Sequence, residues 1–500
     1  MHWSRDVKGK RQGRAVIATA AGLGLSMSVL AGPGATAVPT VAVPTAAGPA
    51  VDEPRPVLAL ATAADTVTAY KFGRWVDVEL GAYLVAGDER FEVITQRAPS
   101  YRTEPVSSVN GQEVPVGLSG FGGLDDFVRL QVRDGTGVEV FDGTRTMCMN
   151  GWSAVRTRPD APNTSDFPQG CETSPFMLGE VQGVEAGWGV PVSTGRSLNR
   201  LPLGRYTLTV AVTKQWRDVL GIGKSAAKRT VVVRIVDGED NCGQCRAHRR
   251  DQGRGQDREL TPRAQEPSGP DAAPPADYEP DLRSLPAWGI KLSRDGRDLR
   301  FAADVWNAGP SRLVVDGFRQ QGEDMMDAYQ YFYTADGAQA GSAQVGTMEW
   351  DDRDGHTHWH FTDFARYRLL DADLKAAVRS KKQAFCLAAT DPIDLTVPGA
   401  EYRPWNTDLN SACGSFGALA VREALPAGSG DTYIQSRPGQ AFRVDDLPNG
   451  RYVIEVTANP KANLVEPDTT NNTAYRRIRL GGSGTDRTVT VYAKGLVTRS

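Results

Sequence analysis

Short runs in which apolar and polar residues alternate with a period of two dominate the chain from about Leu58 onward. Val76-Asp-Val-Glu-Leu80, Phe91-Glu-Val-Ile94 and Tyr206-Thr-Leu-Thr-Val210 are examples. This period predicts strands with one buried face, and Gly, Pro and Asn punctuate the runs as turns do. The pattern fills 57–238, stops, and resumes over 282–482. Between them, 239–281 is charged, rich in Pro, Gly and Gln and almost without large aliphatics, which predicts a solvated, flexible linker. A polar tail, 483–500, holds one candidate strand, Thr488–Tyr492. The expected fold is mainly β: two antiparallel β-sandwich domains joined by that linker.

The two patterned regions are similar to each other. Leu201-Pro-Leu-Gly-Arg-Tyr-Thr-Leu-Thr-Val210 parallels Leu447-Pro-Asn-Gly-Arg-Tyr-Val-Ile-Glu-Val456. Asp126-Phe-Val-Arg precedes Cys148 by 22 residues, and Asp363-Phe-Ala-Arg precedes Cys386 by 23. Each region has a second cysteine downstream, Cys171 or Cys413. Landmarks in one order at similar spacing point to an internal duplication.

The start of the chain departs from this pattern. Residues 1–14 carry five Lys/Arg against one acid, and an apolar stretch runs from Ala15 to Ala31. Ala35-Thr-Ala37 then offers a signal-peptidase site, so 1–37 reads as a cleaved secretory signal and 38–56 as a Pro/Ala-rich tether. The expected product is secreted, with no membrane contact after cleavage. A net charge of −3, from 57 basic and 60 acidic residues, argues against nucleic acid as a partner. Export permits disulfides, and the six cysteines fall into three close pairs. Cys242-Gly-Gln-Cys245 lacks the second half of a zinc site and reads as a local disulfide loop.

Three of the five histidines lie in His356-Thr-His358-Trp-His360. On an extended strand all three side chains share a face, while Trp359 points to the other and packs in the core. Three imidazoles so placed suit Cu(II), Zn(II), Fe(II) or Ni(II), and spacing alone does not choose among them.

Around this cluster the chain resembles the catalytic domain of the lysyl oxidases. Leu299-Arg-Phe301, Asn307-Ala-Gly309 and Glu349-Trp350 precede the histidines, and Asp363-Phe364 and Tyr367-Arg-Leu-Leu-Asp371 follow. Lys382-Gln-Ala-Phe-Cys-Leu387, Asp431-Thr-Tyr433, Asp446-Leu-Pro-Asn-Gly-Arg-Tyr452, Val456-Thr-Ala-Asn-Pro460 and Leu464 to Asn472 complete the series. The resemblance implies a copper-dependent amine oxidase with Cu2+ on His356, His358 and His360. It also implies a lysine tyrosylquinone built from Lys382 and Tyr433, with Lys381 as the competing lysine. Substrates would be primary amines, free or as lysine side chains, with O2 as electron acceptor. Such chemistry needs a base for the α-proton, and Asp431 would share a strand face with Tyr433. The animal family's extra segments are absent and its cysteines are thinned to Cys386 and Cys413, which suggests a bacterial secreted member.

Two other readings stay open: an adhesive tandem sandwich without chemistry, and a zinc hydrolase using the same imidazoles. The first region is the control. Aligned on its Asp and Cys landmarks, it has Ser119, Phe121 and Gly123 at the histidine positions, Thr144 at the lysine and Trp188 near the tyrosine. It is expected to be non-catalytic.

Overall fold

The computed structural model describes residues 57–493 except 102, 116, 152, 172–173, 239–266, 320–324, 352–357, 380–383, 404–408 and 436–440. The expected signal, tether and Cys242–Cys245 loop lie outside the described residues, as does most of the linker; so do His356, Lys381 and Lys382. Among the described residues the protein is mainly β, with one seven-residue α-helix, Lys214–Leu220. No described helix is long and apolar enough to cross a membrane.

Alternation becomes pairing as the sequence predicts. In Phe91–Gln96 every second residue from Phe91 is buried, and the strand pairs antiparallel with both Gly179–Val184 and Val106–Val109. Gly450–Ala458 is instead buried on both faces, as the central strand of its sheet. Two hydrophobic cores result, one drawn from 58–235 and one from 282–480. Burial of these apolar faces is what holds each stack of sheets together.

The two regions repeat one topology. In the first, Glu139–Met147, Gly123–Arg133, Gly204–Val212 and Lys228–Asp237 lie side by side. In the second, Ala376–Arg379, Ala365–Leu370, Gly450–Ala458 and Thr473–Gly481 do the same. Asp126 and Asp363 both take positive φ, 48° and 57°. The Tyr206 hydroxyl donates to Pro202 O at 3.0 Å, and Tyr452 repeats the bond to Pro448 O at 2.8 Å. Each region has its disulfide, Cys148–Cys171 or Cys386–Cys413. The edges differ: Thr66–Phe72 runs parallel beside Lys228–Asp237, whereas Thr488–Val491 from the expected tail runs antiparallel beside Thr473–Gly481.

The regions also meet along a seam. Leu178 N donates to Ile393 O at 2.6 Å and Leu395 N to Gly179 O at 2.9 Å. Gly179 is required there, because a Cβ would lie 2.1 Å from Asp394 Oδ1. Phe176 and Leu178 pack with Leu285, Trp306 and Ile393, and Tyr101 adds its ring edge-on to Phe176. Beneath this cluster Asp304 is buried, its Oδ2 accepting from Thr432 Oγ1 at 3.1 Å. Burial first, then the nearby Asp391 charge, pushes the Asp304 carboxyl up to about 7.

Candidate active site

His358 opens a four-residue strand, His358–Phe361, paired with the end of Gln339–Asp351 so that His360 lies opposite Glu349 and Trp359 opposite Trp350. The alternation falls as expected. Trp359 is fully buried, its Nε1 donating to Ser415 O at 3.0 Å, while His358 and His360 share the other face. Their ring centroids are 4.6 Å apart with planes at 87°. His360 is buried, and its Nδ1 lies 3.4 Å from Asp351 Oδ2. A carboxylate on one ring nitrogen orients an imidazole and directs the other nitrogen to a metal. The donor chemistry of this pair therefore fits a borderline-soft divalent ion.

Tyr433 and Asp431 lie two residues apart on Ser429–Gln435, which pairs antiparallel with Asp298–Asn307. The short segment 385–388 ties this tyrosine strand to the histidine strand. Phe361 and Phe385 exchange backbone bonds of 2.9 and 3.1 Å. Cys386 O accepts from the Tyr433 hydroxyl. Leu387 N donates to Glu423 Oε2 at 3.0 Å, and Ala388 N to Asp431 Oδ2 at 3.1 Å. The Phe385 and Tyr433 ring centroids are 4.5 Å apart. The Cys386–Cys413 disulfide fixes the same segment, and both sulfurs lie within 4.8 Å of the Glu423 carboxylate.

Burial dominates the electrostatics. Glu423 and Asp431 are 0% and 2% exposed, and desolvation pushes both carboxyls well above the usual range. The Asp431 charge raises Glu423 further, and Asp304 and Asp391 raise Asp431, against partial relief from the backbone N–H each accepts. The Tyr433 phenol is held well above its ordinary value, first by burial and then by the Asp431 and Glu423 charges. A nearby cation would favour its phenolate.

Glu423 and Asp304 did not stand out in the sequence. Glu423 lies in Val421-Arg-Glu-Ala-Leu425, which reads as an ordinary strand with solvated charges. The first region supplies the signal that could have found it. Met149 N donates to Gln182 Oε1 at 3.3 Å, as Leu387 N does to Glu423, each one residue past a bridged cysteine. Gln182 and Glu423 also stand five residues before the positive-φ turns Gly187 and Gly428. From those turns Val190 matches Asp431, and the two pair with Leu84 and Val305. Val192, bonded to Ala82 O, matches Tyr433, opposite Ala303. The tyrosine position is thus Val192 and not Trp188, which matches Ser429.

Residues 319–491 match the family model described as lysyl oxidase. Human protein-lysine 6-oxidase is 30% identical over 135 residues, 27% of this chain and 28% of that protein. The rat protein of the same name is 29% identical over 135 residues, covering 27% and 29%. Bovine lysyl oxidase homolog 4 is 26% identical over 140 residues, covering 28% and 16%. The chain therefore spans less than a third of the length of each of these relatives. Over residues 319–491 the chain is thus similar to the lysyl oxidase family.

Proposed function

We propose that the second region is a copper-dependent amine oxidase, secreted after removal of 1–37. It would deaminate primary amines, free or as lysine side chains, using O2 and releasing aldehyde, ammonia and H2O2. The observation that carries this reading is the pinning of 385–388 between the histidine strand and Tyr433. His358 and His360, with His356, would hold Cu2+. Bound copper and a lysine tyrosylquinone made from Lys382 and Tyr433 would supply the electron sink and the reduction of O2.

The chain's own residues then have distinct tasks. The bond to Cys386 O fixes the direction of the Tyr433 hydroxyl, and the Phe385 ring limits its tilt. Lys382 lies four residues before Cys386, so the anchored segment limits how far that amine can stray from Tyr433. Asp431 takes the α-proton: a buried carboxylate with raised proton affinity is a stronger base than a solvated one. Trp359, Phe361 and Phe385, all buried, keep water from the strand junction. The first region, 57–238, carries no equivalent set and supports the second.

Copper-loaded, aerated protein should contain one copper per chain, form a phenylhydrazine adduct and show an intact mass lowered by the cross-link. Finding Lys382 and Tyr433 unmodified in such material would refute the reading.

A further inference from the structure

Glu423 has no part in the chemistry above, yet it is fully buried, and its Oε1 makes no hydrogen bond. Its Oε2 holds the amide of Leu387. In the first region the matching amide, Met149 N, is held by Gln182, a neutral group of almost the same shape. The fold therefore needs an acceptor at this position and does not need a charge. Among the described residues no cation compensates the charge, since the adjacent Arg422 binds Asp316. What lies beside it is the Cys386–Cys413 bridge: a Glu423 carboxylate oxygen and the two sulfurs are all within 4.8 Å of one another. A disulfide is uncharged and donates no hydrogen bond, so it does nothing to offset a buried carboxylate.

We propose that, when this bridge is reduced, the Cys386 and Cys413 thiolates and Glu423 take up a zinc ion, so that a metal clamp replaces the disulfide on 385–388. Reduction by a dithiol places two electrons and two protons on the sulfurs, and the dithiol leaves as a disulfide. Zn2+ then displaces both thiol protons, and any proton on Glu423, to solvent. Two thiolates and a carboxylate are a zinc donor set, with the fourth tetrahedral position left for water. Sulfurs each about 2.3 Å from a tetrahedral ion stand about 3.8 Å apart. Cysteines whose Cα atoms are 6.0 Å apart can reach that separation. Burial holds the Glu423 carboxyl well above the usual range, and a dication beside it draws it back down. The first region is the control, because its bridge, Cys148–Cys171, has the uncharged Gln182 at the matching position. The clamp does not depend on the amine oxidase reading.

Full-length protein carrying Cys242→Ser and Cys245→Ser, which remove the competing linker pair, should be reduced with a phosphine, freed of it and titrated with Co2+ without air. Thiolate-bound cobalt has a strong near-ultraviolet charge-transfer band that imidazole-bound cobalt at the histidines lacks. One ion per chain should give the band, and Zn2+ should bleach it. Glu423→Gln should weaken this site by about tenfold or more. Cys413→Ser should abolish the band, whereas Cys148→Ser with Cys171→Ser should leave it unchanged. No band in the reduced protein would overturn the site, as would a band that survives Cys413→Ser or is lost with the first-region pair. Equal affinity in Glu423→Gln would overturn the carboxylate's part. If reduction unfolds the protein, Zn2+ should restore its melting transition, at about tenfold higher concentration in Glu423→Gln. Failure of zinc to restore it would overturn the clamp.

Discussion

The first and second regions share strand order, a positive-φ aspartate, a tyrosine-to-proline-carbonyl bond and a disulfide, but differ at a few buried positions. Gln182, Val190 and Val192 stand where the second region has Glu423, Asp431 and Tyr433. Val190 and Val192 are 1% and 3% exposed, so an apolar pair fills that place comfortably. The polar set in the second region carries the desolvation of two carboxyls and a phenol. The comparison therefore separates groups that build the sandwich from groups that burden it, and the burdensome ones mark the candidate chemistry.

The comparison breaks most visibly at the tyrosine. Tyr433→Phe should eliminate the phenylhydrazine adduct and amine-dependent peroxide release while copper content stays the same. Val192→Ala should leave both unchanged and lower only the melting temperature. Peroxide release that survives Tyr433→Phe would place the chemistry elsewhere. The disulfides come next. Their sequence separations of 23 and 27 residues predict a similar loss on removal of either, about 3–4 kcal/mol by denaturant unfolding. Only replacing Cys386 and Cys413 by serine should also reduce peroxide release, because that bridge fixes the segment carrying the Tyr433 acceptor. Equal loss of activity from the Cys148–Cys171 pair would show that the halves are not functionally separate. The smallest effect concerns the shared corner: Tyr206→Phe and Tyr452→Phe should each lose about 1 kcal/mol, one hydrogen bond. A large difference between them would mean that the two corners do unequal structural work.

Features that depend on local period were legible in the chain. The alternating strands, the common face of His358 and His360, the inward Trp359 and the shared face of Asp431 and Tyr433 all follow from side chains alternating across a strand. What depends on strands far apart in the chain was not. Arg422 and Glu423 are neighbours, yet Arg422 pairs with Asp316 through two 2.7 Å bonds while Glu423 is buried against the disulfide. Arg422 stays partly exposed and Glu423 is fully buried, a difference their shared charged character does not reveal in the sequence. The seam was hidden for a related reason. The need for glycine at 179 arises from Asp394 in the other half, and nothing local marks Asp304 as a buried carboxyl.

The seam also changes how the first region should be regarded. Its contacts comprise two small apolar clusters, one around Trp306 and Ile393 and one of Phe167, Val181 and Leu395, with a handful of polar bonds. Carried on one polypeptide, however, the two faces meet at a high effective concentration, so weak intrinsic affinity suffices to keep them closed. The first region thus resembles a permanently attached subunit. Severing the chain between the halves would dilute that partner away and leave Leu285, Trp306 and Ile393 as adhesive surface on the half that remains.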